Sequence, residues 1–302
     1  MIFFPLAGEP GGNRRRYGGM PELPEVETVV RGLRERVLGE TIARVTLNAP
    51  PKSTLVSPSL NGRSFAAVLE GRTIERINRR GKNILIGLSG ELTLWVHLKM
   101  TGHFSHKSKD LPIEKHDLVI FDFESTDNGS GLHLRFNDYR RFGRLRVFTN
   151  AELFQQKGLV ELGPEPLEIS PEDFISLCHR RPRQIKQALL DQSFLAGVGN
   201  IYADESLHFS KIHPKKLTTK ISKPKLRELL GHIQRLMKKS IRLMGTSVDT
   251  YTGVNGQVGQ FQKYLIVYNR EGEPCTFCGY TITREKIGSR SAHFCRRCQR
   301  LL

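Results

Sequence analysis

The chain has 302 residues, 38% of them hydrophobic, with 47 Lys and Arg against 30 Asp and Glu for a net charge of +17. That is enough apolar material for a sizeable core and two domains, while no run of 18 apolar residues is available to span a membrane. Residues 1–20 hold three Arg and one Glu, so +15 remains in the body of the chain, and a surplus of that size favours a polyanionic partner, most simply nucleic acid.

The opening MIFFPLAGEP lacks basic residues before its apolar part and does not read as a signal peptide; residues 11–19, with Arg14, Arg15 and Arg16 between glycines, are expected to be disordered. Val26, Val29, Val30, Leu33 and Val37 recur at helical spacing, and Gly39 is a good stop. Glu22, Glu25 and Glu27 then fall at or near the start of that helix, where negative charge is favourable. From about residue 41 to 150 the pattern is of strands. Leu92, Leu94, Val96 and Leu98 alternate with Thr93, Trp95, His97 and Lys99, and 82–88, 117–123, 132–136 and 144–149 also read as strands, which suggests a sandwich or barrel. Gly163-Pro164-Glu165-Pro166 reads as a linker. Beyond it Ser170-Pro171 opens one helix, and Ser222 opens another that closes near Gly245. Residues 246–262, with Gly253, Gly256 and Gly259, read as a long flexible loop.

Four motifs carry chemistry. Met20-Pro21-Glu22 is a second possible start followed by proline. A chain beginning at Pro21 would carry a secondary amine with an acid constant near that of an α-amino group, about 7.7–8.0. Such an amine attacks an aldehyde-level carbon and forms an iminium, and Glu22 could move the protons. A proline that simply opens a helix is the other reading. Cys275-x2-Cys278, sixteen residues, then Cys295-x2-Cys298 is the spacing of a closed tetrahedral zinc site, while Cys178 stands alone. Such cysteine usage fits a reducing compartment rather than a disulfide framework. Arg284, Lys286, Arg290, Arg296, Arg297 and Arg300 make the finger's neighbourhood basic and suited to phosphates. Gly197-Val198-Gly199-Asn200 is a glycine-rich turn into a helix start, able to offer N–H groups to an anion. Lastly, Asp138-Tyr139-Arg140-Arg141-Phe142-Gly143, and Met100 just past the alternating strand, offer apolar side chains beside arginines. These read either as wedges for a duplex or as core.

Taken together, PELPEVET after Met20, RRGK, HLKMTG, EKHD, RRFG, LGPEPL, GVGNIYADE and the four-cysteine finger resemble the formamidopyrimidine-DNA glycosylase family, from Met20 to Gln299. The resemblance implies an α+β chain. Its N-terminal β-sandwich domain, 21–150, would carry the catalytic N-terminal helix. A helical helix–two-turn–helix domain, 165–262, and a zinc finger, 263–302, would follow, with residues 1–20 an extension outside the fold and DNA in the cleft between the domains. It implies excision of 8-oxoguanine and ring-opened purines from damaged double-stranded DNA, with strand cleavage by successive eliminations. By the same resemblance Pro21 is the nucleophile, Glu22 the acid and Lys82 the elimination lysine. Met100, Arg140 and Phe142 fill the gap left by the flipped nucleotide; His116, Arg141, Lys186, Asn200 and Arg290 contact DNA; and loop 246–262 lies over the flipped base. One structural zinc, a monomer and a cytoplasmic, nucleoid-associated location complete the expectation. Tyr139 and Ala292-His293-Phe294 depart from the usual family pattern. Three alternatives stay open: an endonuclease VIII-like glycosylase for oxidised pyrimidines, against which Leu23 argues; a non-catalytic DNA-binding protein, if Pro21 is never freed; and an RNA-binding zinc-ribbon protein.

Overall fold

The computed structural model describes residues 20–48, 55–56, 64–124, 131–246, 254 and 258–301. The extension 1–19 and most of the 246–262 loop, namely 247–253 and 255–257, lie outside the described residues. The chain forms two compact units, one running through residue 160 and returning for 246–259, the other holding 161–245 and 260–301.

In the first unit, α1 (Leu23–Val37) begins where the extended backbone of Glu22 donates its N–H to Glu25 Oε2 at 3.0 Å. That bond satisfies one orphan donor of the first turn. The helix buries Leu23, Val26, Val29, Val30, Leu33 and Val37 and ends at Gly39, whose φ of 86° is open to glycine at no steric cost. β1 (Ile42–Leu47), α2 (Phe65–Leu69), β2 (Ile74–Arg80), β3 (Asn83–Leu88), β4 (Leu92–His97), β5 (His103–Ser108), β6 (Asp117–Phe123), β7 (Leu132–Asn137) and β8 (Arg144–Thr149) follow. Among the described residues the strands form two antiparallel four-stranded sheets, ordered β1-β6-β7-β5 and β2-β3-β4-β8. Ile84, Ile86, Leu94, Val96, Phe104, Phe121, Leu134 and Phe136 are buried in the shared core with the apolar face of α1. The strand expected at 82–88 starts one residue later, because Gly81 at φ 57° and Lys82 form the turn between β2 and β3. Lys82 therefore sits at the end of a sheet, not within it. Short helices α3 (Asn150–Leu153) and α4 (Lys157–Val160) close the unit.

The second unit contains α5 (Pro171–His179), α6 (Ile185–Leu190), α7 (Asn200–Phe209), α8 (Lys223–Arg242) and the hairpin β9 (Thr283–Ile287) and β10 (Arg290–Phe294). Ser170 caps α5 as its spacing suggests, its Oγ accepting from Asp173 N at 3.1 Å. Every residue of α7 from Ile201 to Phe209 is buried, and Tyr202 Oη lies 2.6 Å from Ser240 Oγ of α8. The helices and the finger fall in one compact unit, and 246–259 groups with the sandwich. Two contacts explain the latter: Thr246 N–H donates to Glu25 Oε1 at 2.8 Å, and His106 N–H donates to Val254 O at 3.0 Å. No helix among the described residues is long and apolar enough to cross a membrane.

Candidate functional site

Pro21 and Glu22 are both buried, at the N-terminal end of α1. Glu25 fixes that end twice over, one oxygen taking the Glu22 N–H and the other the Thr246 N–H. Its carboxylate is therefore committed to backbone, and the Glu22 side chain in turn accepts the Glu25 N–H in a reciprocal capping box, which holds this second acid next to Pro21. One turn on, Glu27 Oε2 accepts from Arg79 Nε at 3.2 Å, and Arg79 Nη1 donates to Gly81 O at 3.1 Å. This relay ties the turn bearing Lys82 to the catalytic-helix candidate.

Lys82 has cationic company at the same sheet end. His97 pairs with Asn83 on one side and Arg144 on the other. Burial, and then the charges of Lys99, Lys82 and Arg144, push the His97 imidazole down to about 3. Lys99 is itself held below the usual lysine range by burial and by Arg144. Since His97 Nδ1 accepts the Lys99 N–H at 3.0 Å, the proton of the neutral ring is on Nε2. The cluster offers cations and one neutral donor, the composition a phosphate requires. Sequence reasoning passed over His97 because it alternates within β4 as an ordinary outward polar residue.

Met100, Arg140 and Phe142 are brought together. Arg140 Nη1 lies 3.2 Å from Met100 Sδ, and the Arg140 guanidinium sits 4.8 Å from the centroid of the Phe142 ring. Phe142 is 47% exposed, far from the core reading of an aromatic in a sandwich. Arg141 is exposed beside it at φ 56°. His116 is half-buried; its carbonyl accepts the Asp138 N–H at 3.0 Å, and its Nδ1 is buried without a hydrogen-bond partner.

In the second unit the expected residues divide. Arg290 is exposed at the tip of the β9–β10 hairpin. Asn200 is the first residue of α7, half-buried, its Oδ1 buried without a partner. Lys186, expected on DNA, is instead fully buried. Its ammonium pairs with Asp204 and donates to Ser291 O at 2.6 Å. Asp204 also takes the His293 N–H at 2.9 Å and His293 Nδ1 at 3.0 Å, so the departure at His293 has a structural partner. Glu205, pushed up to about 7 by burial, accepts N–H groups of Ile266, Val267 and Tyr268 at 2.7–3.1 Å. The acids of GVGNIYADE thus fasten the finger to α7 rather than face a ligand.

All four finger sulfurs lie within 4.8 Å of one another, with Cys275–Cys298 at 3.9 Å and Cys278–Cys295 at 3.5 Å. Zinc–sulfur bonds of about 2.3 Å in a tetrahedron put sulfurs about 3.8 Å apart, so the set fits one structural zinc with no open position. His208 Nε2 stands 3.6 Å from Cys275 Sγ. Cys178 is buried, and burial pushes its thiol up to about 12, which makes it inert.

Comparison with known proteins covers the same ground. Family models match in succession: the formamidopyrimidine-DNA glycosylase N-terminal domain over residues 20–145, its H2TH domain over 162–252, and the zinc finger found in FPG and IleRS over 272–301. The chain is similar to the formamidopyrimidine-DNA glycosylases of Desulforamulus reducens, 41% identical over 93% of this chain and 99% of the relative, and of Heliobacterium modesticaldum, 42% identical over 93% and 100%. It is also similar in structure to wild-type Lactococcus lactis Fpg complexed with DNA containing N7-benzyl-Fapy-dG, at 33% identity and a TM-score of 0.82 over 93% of this chain and 100% of that one. The same enzyme with abasic-site DNA matches at 32% and 0.82, over 92% and 99%.

Proposed function

The chain belongs to the formamidopyrimidine-DNA glycosylase family, and from that premise we propose that it excises oxidised purines from duplex DNA and cuts the strand at the resulting site. The end-to-end match carries this reading: three family domains in order, spanning 99–100% of the relatives' length. Polyanion binding follows from the net charge of +17.

The damaged nucleotide leaves the stack, since its C1′ is out of reach inside a duplex. Met100, Arg140 and Phe142 fill the gap it leaves. The Pro21 nitrogen, an amine only in a chain that starts there, gives its lone pair to C1′ as the C1′–N9 bond breaks, and the base departs with a proton. Glu22 protonates the sugar ring oxygen, which opens the ring and leaves an iminium between Pro21 and C1′. Loss of a C2′ proton then expels the 3′ phosphate, and a second elimination expels the 5′ phosphate. Water releases the sugar remnant and restores the amine. Lys82, with His97 and Arg144 nearby, grips phosphate and assists the first elimination. Arg141, His116, Asn200 and Arg290 hold the backbone, and zinc keeps the finger folded. The protein acts as a monomer in the cytoplasm, on nucleoid DNA.

A single-turnover assay tests the reading. Protein beginning at Pro21 and a duplex with one 8-oxoguanine should yield free base and a one-nucleotide gap with phosphate at both ends. Efficient cutting only at oxidised pyrimidines would move the chain to the endonuclease VIII-like branch. Binding without base release would make it a non-catalytic DNA-binding protein.

A further inference from the structure

Met100 and the pair Arg140 and Phe142 come from two different loops, 98–102 and 138–143. Surface loops carrying large apolar side chains would ordinarily drift relative to each other. Here they are tied through one buried carboxylate. Asp138, fully buried, accepts from the Thr101 hydroxyl and from Arg140 N–H (3.2 Å) on Oδ1, and from Gly143 N–H (2.7 Å) on Oδ2. Thr101 is buried as well. Three donors on one carboxylate, one from the first loop and two from the second, fix both sets of backbone against the same point.

A second observation is independent of those bonds. Gly102 and Gly143, one in each loop, pack against the same edge of Phe136: a Cβ on either would come within 2.8 Å of Phe136 Cζ. Phe136 in turn meets Phe104 edge-on, with centroids 5.2 Å apart. A third lies in the backbone. Lys99 and Arg141, the non-glycine residues next to Met100 and Phe142, stand at φ 55° and 56°. Left-handed backbone at such residues persists only where surrounding structure holds it.

We propose that Thr101 and Asp138 are positioning residues that lock the two loops into one rigid wedge, assembled before DNA arrives. The inference rests on the reading of Met100, Arg140 and Phe142 as the gap-filling residues. Neither Thr101 nor Asp138 touches DNA; each acts through the side chains it aims. A wedge set in advance spends no binding energy on ordering loops while a base is being pushed out.

The test is stopped-flow fluorescence of the full chain with a duplex carrying 2-aminopurine beside 8-oxoguanine. It separates initial duplex binding from the slower rise that reports unstacking. Thr101→Val keeps the side-chain shape and deletes only the hydroxyl. It should slow the unstacking phase about ten-fold, the scale of one lost hydrogen bond to a charged group, and leave the binding phase unchanged. Thr101→Ser restores the hydroxyl and should restore the rate. Phe142→Ala serves as the reference for a missing wedge. A slow Phe142→Ala with a normal Thr101→Val would overturn the lock while sparing the wedge. A normal Phe142→Ala would overturn both. Equal loss of both phases in Thr101→Val, with a lower melting temperature and no rescue by serine, would reduce the pair to ordinary fold stability.

Discussion

Lys186 separates two accounts of one residue, and Lys186→Met tells them apart. Family resemblance puts this lysine on DNA; the structure buries its side chain completely against Asp204, itself 1% exposed. Methionine retains the packing volume and removes the charge, which leaves a buried carboxylate without its cation. Breaking a buried pair from one side costs about 3–5 kcal/mol. Asp204 keeps its two bonds from His293, so the lower end, about 3 kcal/mol, applies. In a unit of this size that lowers the melting midpoint by about 6–12 °C. DNA affinity should also fall, because Ser291 of the finger hairpin loses its bond to the Lys186 ammonium. The slope of log affinity against log salt should not change, since no phosphate contact is lost. Calorimetry and a salt series of binding isotherms measure the two quantities. An unaltered melting midpoint together with a salt slope smaller by about 0.9 would refute the buried-strut argument and return Lys186 to the DNA.

Other perturbations probe the rest of the site. His97 should stay neutral as pH falls from 6.5 to about 3. Its folded value lies below the unfolded one, so the stability it contributes is full above pH 6.5 and is lost as pH falls towards 3; an NMR titration midpoint near 6.5 would contradict this. Cys295→Ser should abolish zinc retention and DNA binding together, because metal binding and finger folding are coupled, whereas Cys178→Ser should do neither; full activity of a metal-free Cys295 variant would refute it. Arg141→Ala should weaken binding to every duplex and lower the salt slope by about one unit, while Phe142→Ala should spare non-specific affinity and impair base extrusion. Equal destabilisation of both variants without a selective DNA effect would give them a role in fold stability alone.

What the sequence made legible follows from where its constraints are local. The helix at Leu23–Val37 and the strand at Arg144–Thr149 stand where periodicity put them, because burial repeats at their own spacing, and Asp117–Phe123, buried at five consecutive positions, stands where a short apolar run put it. β1 and β2 escaped notice for the opposite reason: β1 buries Ile42 and Val45 with two exposed residues between them, and β2 buries Ile74 and Ile77 likewise. Three-residue spacing looks more like helix than strand. The zinc ligands were readable because metal spacing is written along the chain. The roles of Asp138, Asp204 and Glu205 were not, since their partners lie up to 89 residues away and nothing local distinguishes a buried acid from a solvated one. Most of the 246–262 loop, expected to lie over the flipped base, lies outside the described residues.

The central claim is that the Pro21 nitrogen is the nucleophile, and borohydride trapping tests it most directly, because reduction freezes the iminium as a stable amine. Protein beginning at Pro21 should become covalently joined to 8-oxoguanine DNA, with mass spectrometry placing the adduct on the Pro21 peptide. Protein that retains residues 1–20 should bind the duplex without being trapped, since its Pro21 nitrogen is an amide. Robust trapping by chain whose intact extension has been verified by mass would contradict the account and assign the chemistry to another residue.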